Sequence, residues 1–267
     1  MSACNGAGSP LARLEDWYRS PLGTEVADRE TACVASMLGD VFGYYLVQVG
    51  VTGRFRDALA ASRVRHRILM PCEVPSGQPG LEIVGDPTRL PLASDGVDAL
   101  LLPHTLDFVP DPRQVLREAE RVLIPEGRVF IVGFNALSSW GLRGLLYRHR
   151  GRVPWCGRFL TTYRVEDWLS LLGFDVEFCE HILFQPPFRR ARGLRLPALD
   201  SLGRRLWPGL GGVYVIRAVK RVSTLTPLMP SWTRRSALLP GAIEPTTRRG
   251  YPKGAQRTGL LGECGDA

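Results

Sequence analysis

Two glycines set three apart, Gly50 and Gly53, close the apolar run "GYYLVQVG" and open a stretch that reads as a helix. Glycine at such a turn lets the backbone approach a bound group with no Cβ in the way. The first turn of the following helix adds N–H groups that no helical carbonyl satisfies. Together they suit a nucleotide-like ligand. Further on, "IVGDPTRLP" carries Asp86, and "LPHTLDFVPDP" carries His104 and Asp107. A carboxylate can accept hydrogen bonds from a ligand amine. A histidine can act as general base where a proton must leave an oxygen or an acidic carbon. Plainer roles compete with both: Asp86 as a strand-end turn aspartate, His104 as a packing histidine satisfied by a backbone carbonyl. Asp107 can serve as a base or simply start a loop.

Composition narrows the chemistry. The six cysteines (Cys4, Cys33, Cys72, Cys156, Cys179 and Cys264) form no C-x-x-C pair, and the four histidines are dispersed. That spacing argues against a metal site and against a disulfide framework. At 267 residues, 45% hydrophobic and 22% charged, the chain suits one large α/β domain with appendages. No apolar run approaches the roughly 20 residues needed to span a bilayer, and the N-terminus has no secretory pattern. A cytoplasmic protein is expected. The net charge of +8 is uneven: nine Lys/Arg and one acid lie between Arg189 and Arg221, and a second basic cluster runs from Arg143 to Arg152. Such clusters form a solvated face or attract nucleic acid, anionic lipid or an acidic substrate.

The elements that must position these residues alternate. Residues 1–40 form a helical segment, with a break at Pro21–Gly23 and Thr24 as the cap of the second helix. Strands follow at "GYYLVQVG", "RHRILM", "LEIVG", "VDALLLP" and "RVFIVGF", with helices at "RFRDALAAS" and "DPRQVLREAERVL" between them. Continuous apolar runs mark strands buried on both faces, and the β/α alternation implies a mainly parallel sheet. A helix "TTYRVEDWLSLLGF" precedes "DVEFCEHILF" and "GVYVIRAVKR", which pair as an antiparallel hairpin at one edge. A short helix is expected near Leu199–Leu206. The expectation is a seven-stranded Rossmann-like α/β domain over residues 41–222, followed by a basic, disordered tail over 223–267. Ligands on such sheets bind beyond the carboxyl ends of the strands, where the chemistry-bearing residues lie.

The stretch "EIVGDPTRLPLASDGVDALLLPHTLDFVPDPRQVLREAERVLIPEGRVFIVGF" resembles the core of the class I S-adenosylmethionine-dependent methyltransferases, most closely the branch described as methyltransferase type 11. The Gly-Asp pair, the Leu-Pro, the Asp-Gly-x-x-Asp strand entry, Val-Pro-Asp-Pro, the Leu-Arg-Glu helix and the Pro-x-Gly turn all stand in order. The resemblance implies S-adenosyl-L-methionine as cofactor and methyl transfer to a small-molecule or lipid-like acceptor. It also implies that Gly50 and Gly53 lie against the methionine and ribose, and that Asp86 accepts from the adenine amine. Pro87 and Leu90 then flank the ring, Leu102, Pro103 and His104 line the floor near the sulfonium, and His104 is the leading catalytic base. The acceptor would sit between "FNALSSWGLRGLLYRHR" and "ILFQPPF", with Trp140 as wall or as core.

Two departures stand out. Gln48 takes the place near the family's acidic residue before the glycine turn, which has two glycines instead of three. The strand "HRILMPCE" ends without the carboxylate that holds ribose hydroxyls, and Glu73 comes several residues late. One lost charged hydrogen bond costs about 1.5–3 kcal/mol. The rival reading is therefore a catalytically inactive methyltransferase-fold binding or scaffold protein. A nicotinamide dehydrogenase is disfavoured by the same missing acid. A base-modifying nucleic-acid enzyme is disfavoured by the lack of an Asn/Asp-Pro-Pro-Tyr signature, so no specific nucleic-acid partner is expected.

Overall fold

Apolar segments with β-branched and aromatic residues become strands, and the polar-apolar segments between them become helices that cover both sheet faces. The computed structural model describes residues 9–73, 83–147, 151–186 and 203–221. The strands are β1 (Phe42–Val49), β2 (Arg63–Met70), β3 (Val97–Pro103), β4 (Leu123–Phe134), β5 (Phe174–Ile182) and β6 (Val213–Lys220). They form one sheet in the order β2-β1-β3-β4-β6-β5. Pairs β1–β2, β1–β3 and β3–β4 are parallel, and β6 runs antiparallel to both β4 and β5. The antiparallel hairpin at this edge is therefore present, with the reversed strand one place in from the rim.

The helices are α1 (Pro10–Tyr18), α2 (Pro21–Leu38), α3 (Arg56–Ala60), α4 (Thr105–Phe108), α5 (Pro112–Val122), α6 (Ser139–Tyr147) and α7 (Thr162–Leu171). Successive strand residues point to opposite faces. Leu46, Leu101, Phe130 and Val132 pack with α1 and α2 on one face, while Val47, Leu100, Leu102 and Ile131 pack with α5 and α7 on the other. Buried cations at β6 tie the layers together. Arg217 bonds Asp40 and Glu177 and the Met37 carbonyl, and Lys220 bonds Asp95 and the Glu120 and Leu123 carbonyls.

Two sequence expectations are corrected. The sheet has six strands among the described residues: Ile83–Gly85 of the expected "LEIVG" strand join no ladder, and Asp86 makes an isolated bridge to Arg89. Gly85 donates to the Pro71 carbonyl at 3.2 Å and abuts the Met70 sulfur, so the chain crosses the end of β2 instead of running along it. The β2 edge carries Arg63, Arg65, His66 and Arg67, exposed polar residues of the kind that protect an unpaired edge. The second correction concerns α2, which begins at Pro21 with Ser20 as its cap, its hydroxyl accepting from Gly23 N–H at 3.1 Å. Proline is well suited to a first helical position, so Pro21 starts the helix, and Thr24 donates instead to the Tyr18 carbonyl. Gly203–Leu206 form a helical turn, whereas Leu199–Leu202 and the tail lie outside the described residues.

Candidate cofactor site

The parallel strands β1, β3 and β4 end side by side, and the turns that leave them converge. At the β1 turn Gly50 has φ of +105°, and a Cβ there would stand 2.6 Å from the Thr105 hydroxyl. That hydroxyl donates to the Val49 carbonyl at 2.7 Å, locking the β1 turn to α4. Only glycine satisfies both constraints. The next amides, Thr52 N–H and Gly53 N–H, both donate to one carboxylate oxygen of Glu15, at 2.8 and 2.9 Å. Glu15 lies on α1, which crosses the mouth of the turn. The same helix is anchored at its start, where Ser9 N–H donates to Glu73 at 3.2 Å. The Gln48 amide donates to the Val51 carbonyl and braces the turn from inside, leaving its own Oε1 without a partner.

Below α1 lies a chain of buried polar groups. His104 is fully buried; one ring nitrogen faces Glu30 at 3.0 Å and the other faces Asp107 at 2.9 Å. The Tyr18 hydroxyl donates to Glu30 at 2.7 Å, and Phe134 N–H donates to Asp107 at 2.9 Å. Burial pulls the imidazole pKa down, but the two flanking carboxylates outweigh it and push it up to about 9. The ring therefore carries a proton at neutral pH and donates from both nitrogens. Burial raises Asp107 despite the hydrogen bond from His104, and burial with Glu30 beside it raises Tyr18 well above the usual range. His104 also has φ of +51°, an uncommon conformation for a non-glycine residue. Its two carboxylate partners hold it there.

The remaining expected residues divide. Asp86 is exposed, and one of its carboxyl oxygens accepts from Thr88 N–H at 2.8 Å and Thr88 hydroxyl at 2.7 Å, bonds that hold its pKa below the usual range. Pro87 and Leu90 are buried beneath it. Leu102 points into the core on the α5 face and Pro103 is buried, so neither lines an open floor. Trp140 belongs to the core: it stacks on Phe134 and its indole N–H donates to the Gln185 carbonyl at 2.9 Å. Sequence reasoning missed Glu15 and Glu30. Glu30 had a signal, being an acid on the stripe Val26, Ala27, Cys33, Val34 that α2 buries. Glu15 had none, since its partner is backbone.

Beyond β4, the Asn135–Ser139 loop borders two clefts. One, of about 390 Å³, reaches Thr162, His181 and Arg204. The other, of about 540 Å³, lies along α6 and reaches Arg158 and Phe159. Arg158 N–H donates to the Asp107 carbonyl at 2.7 Å, linking the second cleft to the His104 cluster. S-adenosylmethionine bears a carboxylate and an adenine amine. The paired Thr52 and Gly53 amides suit the former, since they already hold a carboxylate, and exposed Asp86 suits the latter. The residues fit the group, with Glu15 seated where its carboxylate would go.

A family model described as a methyltransferase domain matches residues 49–131, the span from the last residue of β1 to the later part of β4. The uncharacterized protein YafS of Escherichia coli (strain K12) is 36% identical over 188 residues, 70% of this chain and 72% of that protein. An uncharacterized protein of Mycobacterium tuberculosis (strain ATCC 25618 / H37Rv) is 31% identical over 203 residues, 70% of this chain and 66% of its own length. Among solved structures, an S-adenosylmethionine-dependent methyltransferase of Thermotoga maritima superposes with a TM-score of 0.58 at 24% identity, covering 79% of this chain and 96% of that one. With the strand order, the glycine turn and the Asp86 and Val-Pro-Asp-Pro segments in place, the chain belongs to the class I S-adenosylmethionine-dependent methyltransferases, in the type 11 branch.

Proposed function

We propose that this protein binds S-adenosylmethionine at the carboxyl ends of β1 and β3 and passes its methyl group to a small or lipid-like acceptor held beyond β4. The observation that carries the reading is the pair of clefts sharing the Asn135–Ser139 loop, at the same end of the sheet as the Gly50 turn and with walls that include Leu137 and Phe159. When bound, the cofactor supplies an electrophilic methyl group. The protein's part is to orient the acceptor and keep water out. Thr52 and Gly53 amides hold the carboxylate end, and Asp86 accepts from the adenine amine. His104 braces the site: with both nitrogens engaged and no exposure, it ties α2 to the end of β3 and has no free lone pair for an acceptor proton.

A second reading, a binding or scaffold protein without turnover, is favoured by Glu15 in the amide pair and by the lack of an acid at the tip of β2. Incubation with methyl-labelled S-adenosylmethionine and fractions of a cell extract separates the two. Label recovered on a small or organic-soluble product supports transfer. Failure to bind the cofactor at all supports the second reading.

A further inference from the structure

Helix α6 is amphipathic in an inverted sense. Trp140, Gly141 and Gly144 face inward, with a Cβ on Gly141 landing 2.1 Å from the Ala136 carbonyl and one on Gly144 landing 3.2 Å from the Phe159 ring. Leu142, Leu145 and Leu146, spaced for one helical face, point outward and are 62%, 68% and 70% exposed. Leu137, 55% exposed, continues this apolar strip along the same cleft. An outward leucine face is what a surface helix of a globular domain normally avoids.

Along the sequence its flanking charges have one sign, while Glu166 and Glu180 line the other cleft that Leu137 borders. From Asn135 to Val165 the sequence holds six arginines and no Asp or Glu. Arg152 and Arg158 are exposed, and Arg158 lines the cleft that Leu142 and Leu145 also line. Arg143 lies over the Tyr147 and Trp155 rings, 4.8 and 5.5 Å from their centroids. Outward leucines bordered by arginines and aromatics form the pattern of a helix that lies in a bilayer interface, apolar side inserted and cations at the headgroups.

We infer that α6 and the Gly151–Phe159 loop dock this protein on an anionic lipid surface, the leucines entering the interface and the arginines meeting the headgroups. A second copy of the chain is a poorer occupant, because it would set arginine against arginine around the leucines. The surface borders the larger cleft beyond β4, so docking would open that cleft toward lipid. The inference stands whether or not the protein transfers methyl groups.

The test is co-sedimentation of the full chain with phosphatidylcholine vesicles with and without phosphatidylglycerol, over a salt series. Binding is expected only with phosphatidylglycerol, falling as salt rises. The triple variant Leu142→Ser, Leu145→Ser, Leu146→Ser keeps every charge and is expected to partition about tenfold less. Arg152→Glu with Arg158→Glu is expected to weaken binding comparably. If the triple variant melts early, the single Leu145→Ser variant and the wild-type lipid and salt series carry the decision. No binding to anionic vesicles, equal binding to neutral ones, or full binding by the folded leucine variants would overturn the inference. So would a wild-type dimer that those substitutions dissociate.

Discussion

In the proposed function, Glu15 sets the condition for cofactor binding. Its carboxylate receives two backbone N–H groups, the charge-assisted type of bond that is stronger than its neutral counterpart. A ligand carboxylate that uses the same amides must displace it. Glu15→Ala removes the competitor, and S-adenosylmethionine affinity is expected to rise several-fold, up to about tenfold, in calorimetric titration. Unchanged or weaker affinity would mean that the ligand carboxylate does not use these amides. Gly50 was legible from the sequence because a backbone demand selects glycine visibly. Glu15 was not, because any side chain with a carboxylate at the right place can bond an amide, and placement comes only from folding α1 over the turn.

The elements show where sequence patterns suffice and where they stop. β1, β3, β4, α5 and α7 were legible because apolar runs and a 3.6-residue period both follow from burial. Asp111 caps α5 by accepting from Arg113 and Gln114 N–H. The "LEIVG" segment has β composition without a β partner, since Ile83 and Val84 are 44% and 43% exposed and join no ladder. Composition cannot supply a partner. Pro21–Gly23 read as a break but is the first turn of α2, with Gly23 pressed on α1: a Cβ there would lie 2.2 Å from the Trp17 carbonyl. Gly23→Ala is therefore expected to destabilise the fold by about 1–3 kcal/mol in chemical denaturation, through overpacking at the α1–α2 corner. A neutral effect would mean the corner yields freely.

At the scale of the molecule, the buried His104 cluster links stability to pH. An imidazole pKa of about 9 in the fold, against 6.5 unperturbed, gives stability that is fully present below about pH 6.5 and lost as pH rises through 9. The raised Asp107 and Tyr18 have the same sign in other windows, Asp107 from the carboxylate range upward and Tyr18 above pH 10. Unfolding free energy is expected to fall between pH 7 and 10, by on the order of 3 kcal/mol for the histidine, and the melting temperature with it. His104→Gln should be less stable at pH 7 and flatter across that window. A wild-type profile as flat as the variant's would remove the charged-brace role.

The measurement that bears most directly on the whole account is calorimetric titration of the protein with S-adenosylmethionine and S-adenosylhomocysteine, repeated on Asp86→Ala. Saturable binding of both ligands is expected, weakened several-fold or more by Asp86→Ala with no loss of melting temperature. No heat and no thermal stabilisation at millimolar ligand would contradict it, and would leave Glu15 as the permanent occupant of the glycine turn.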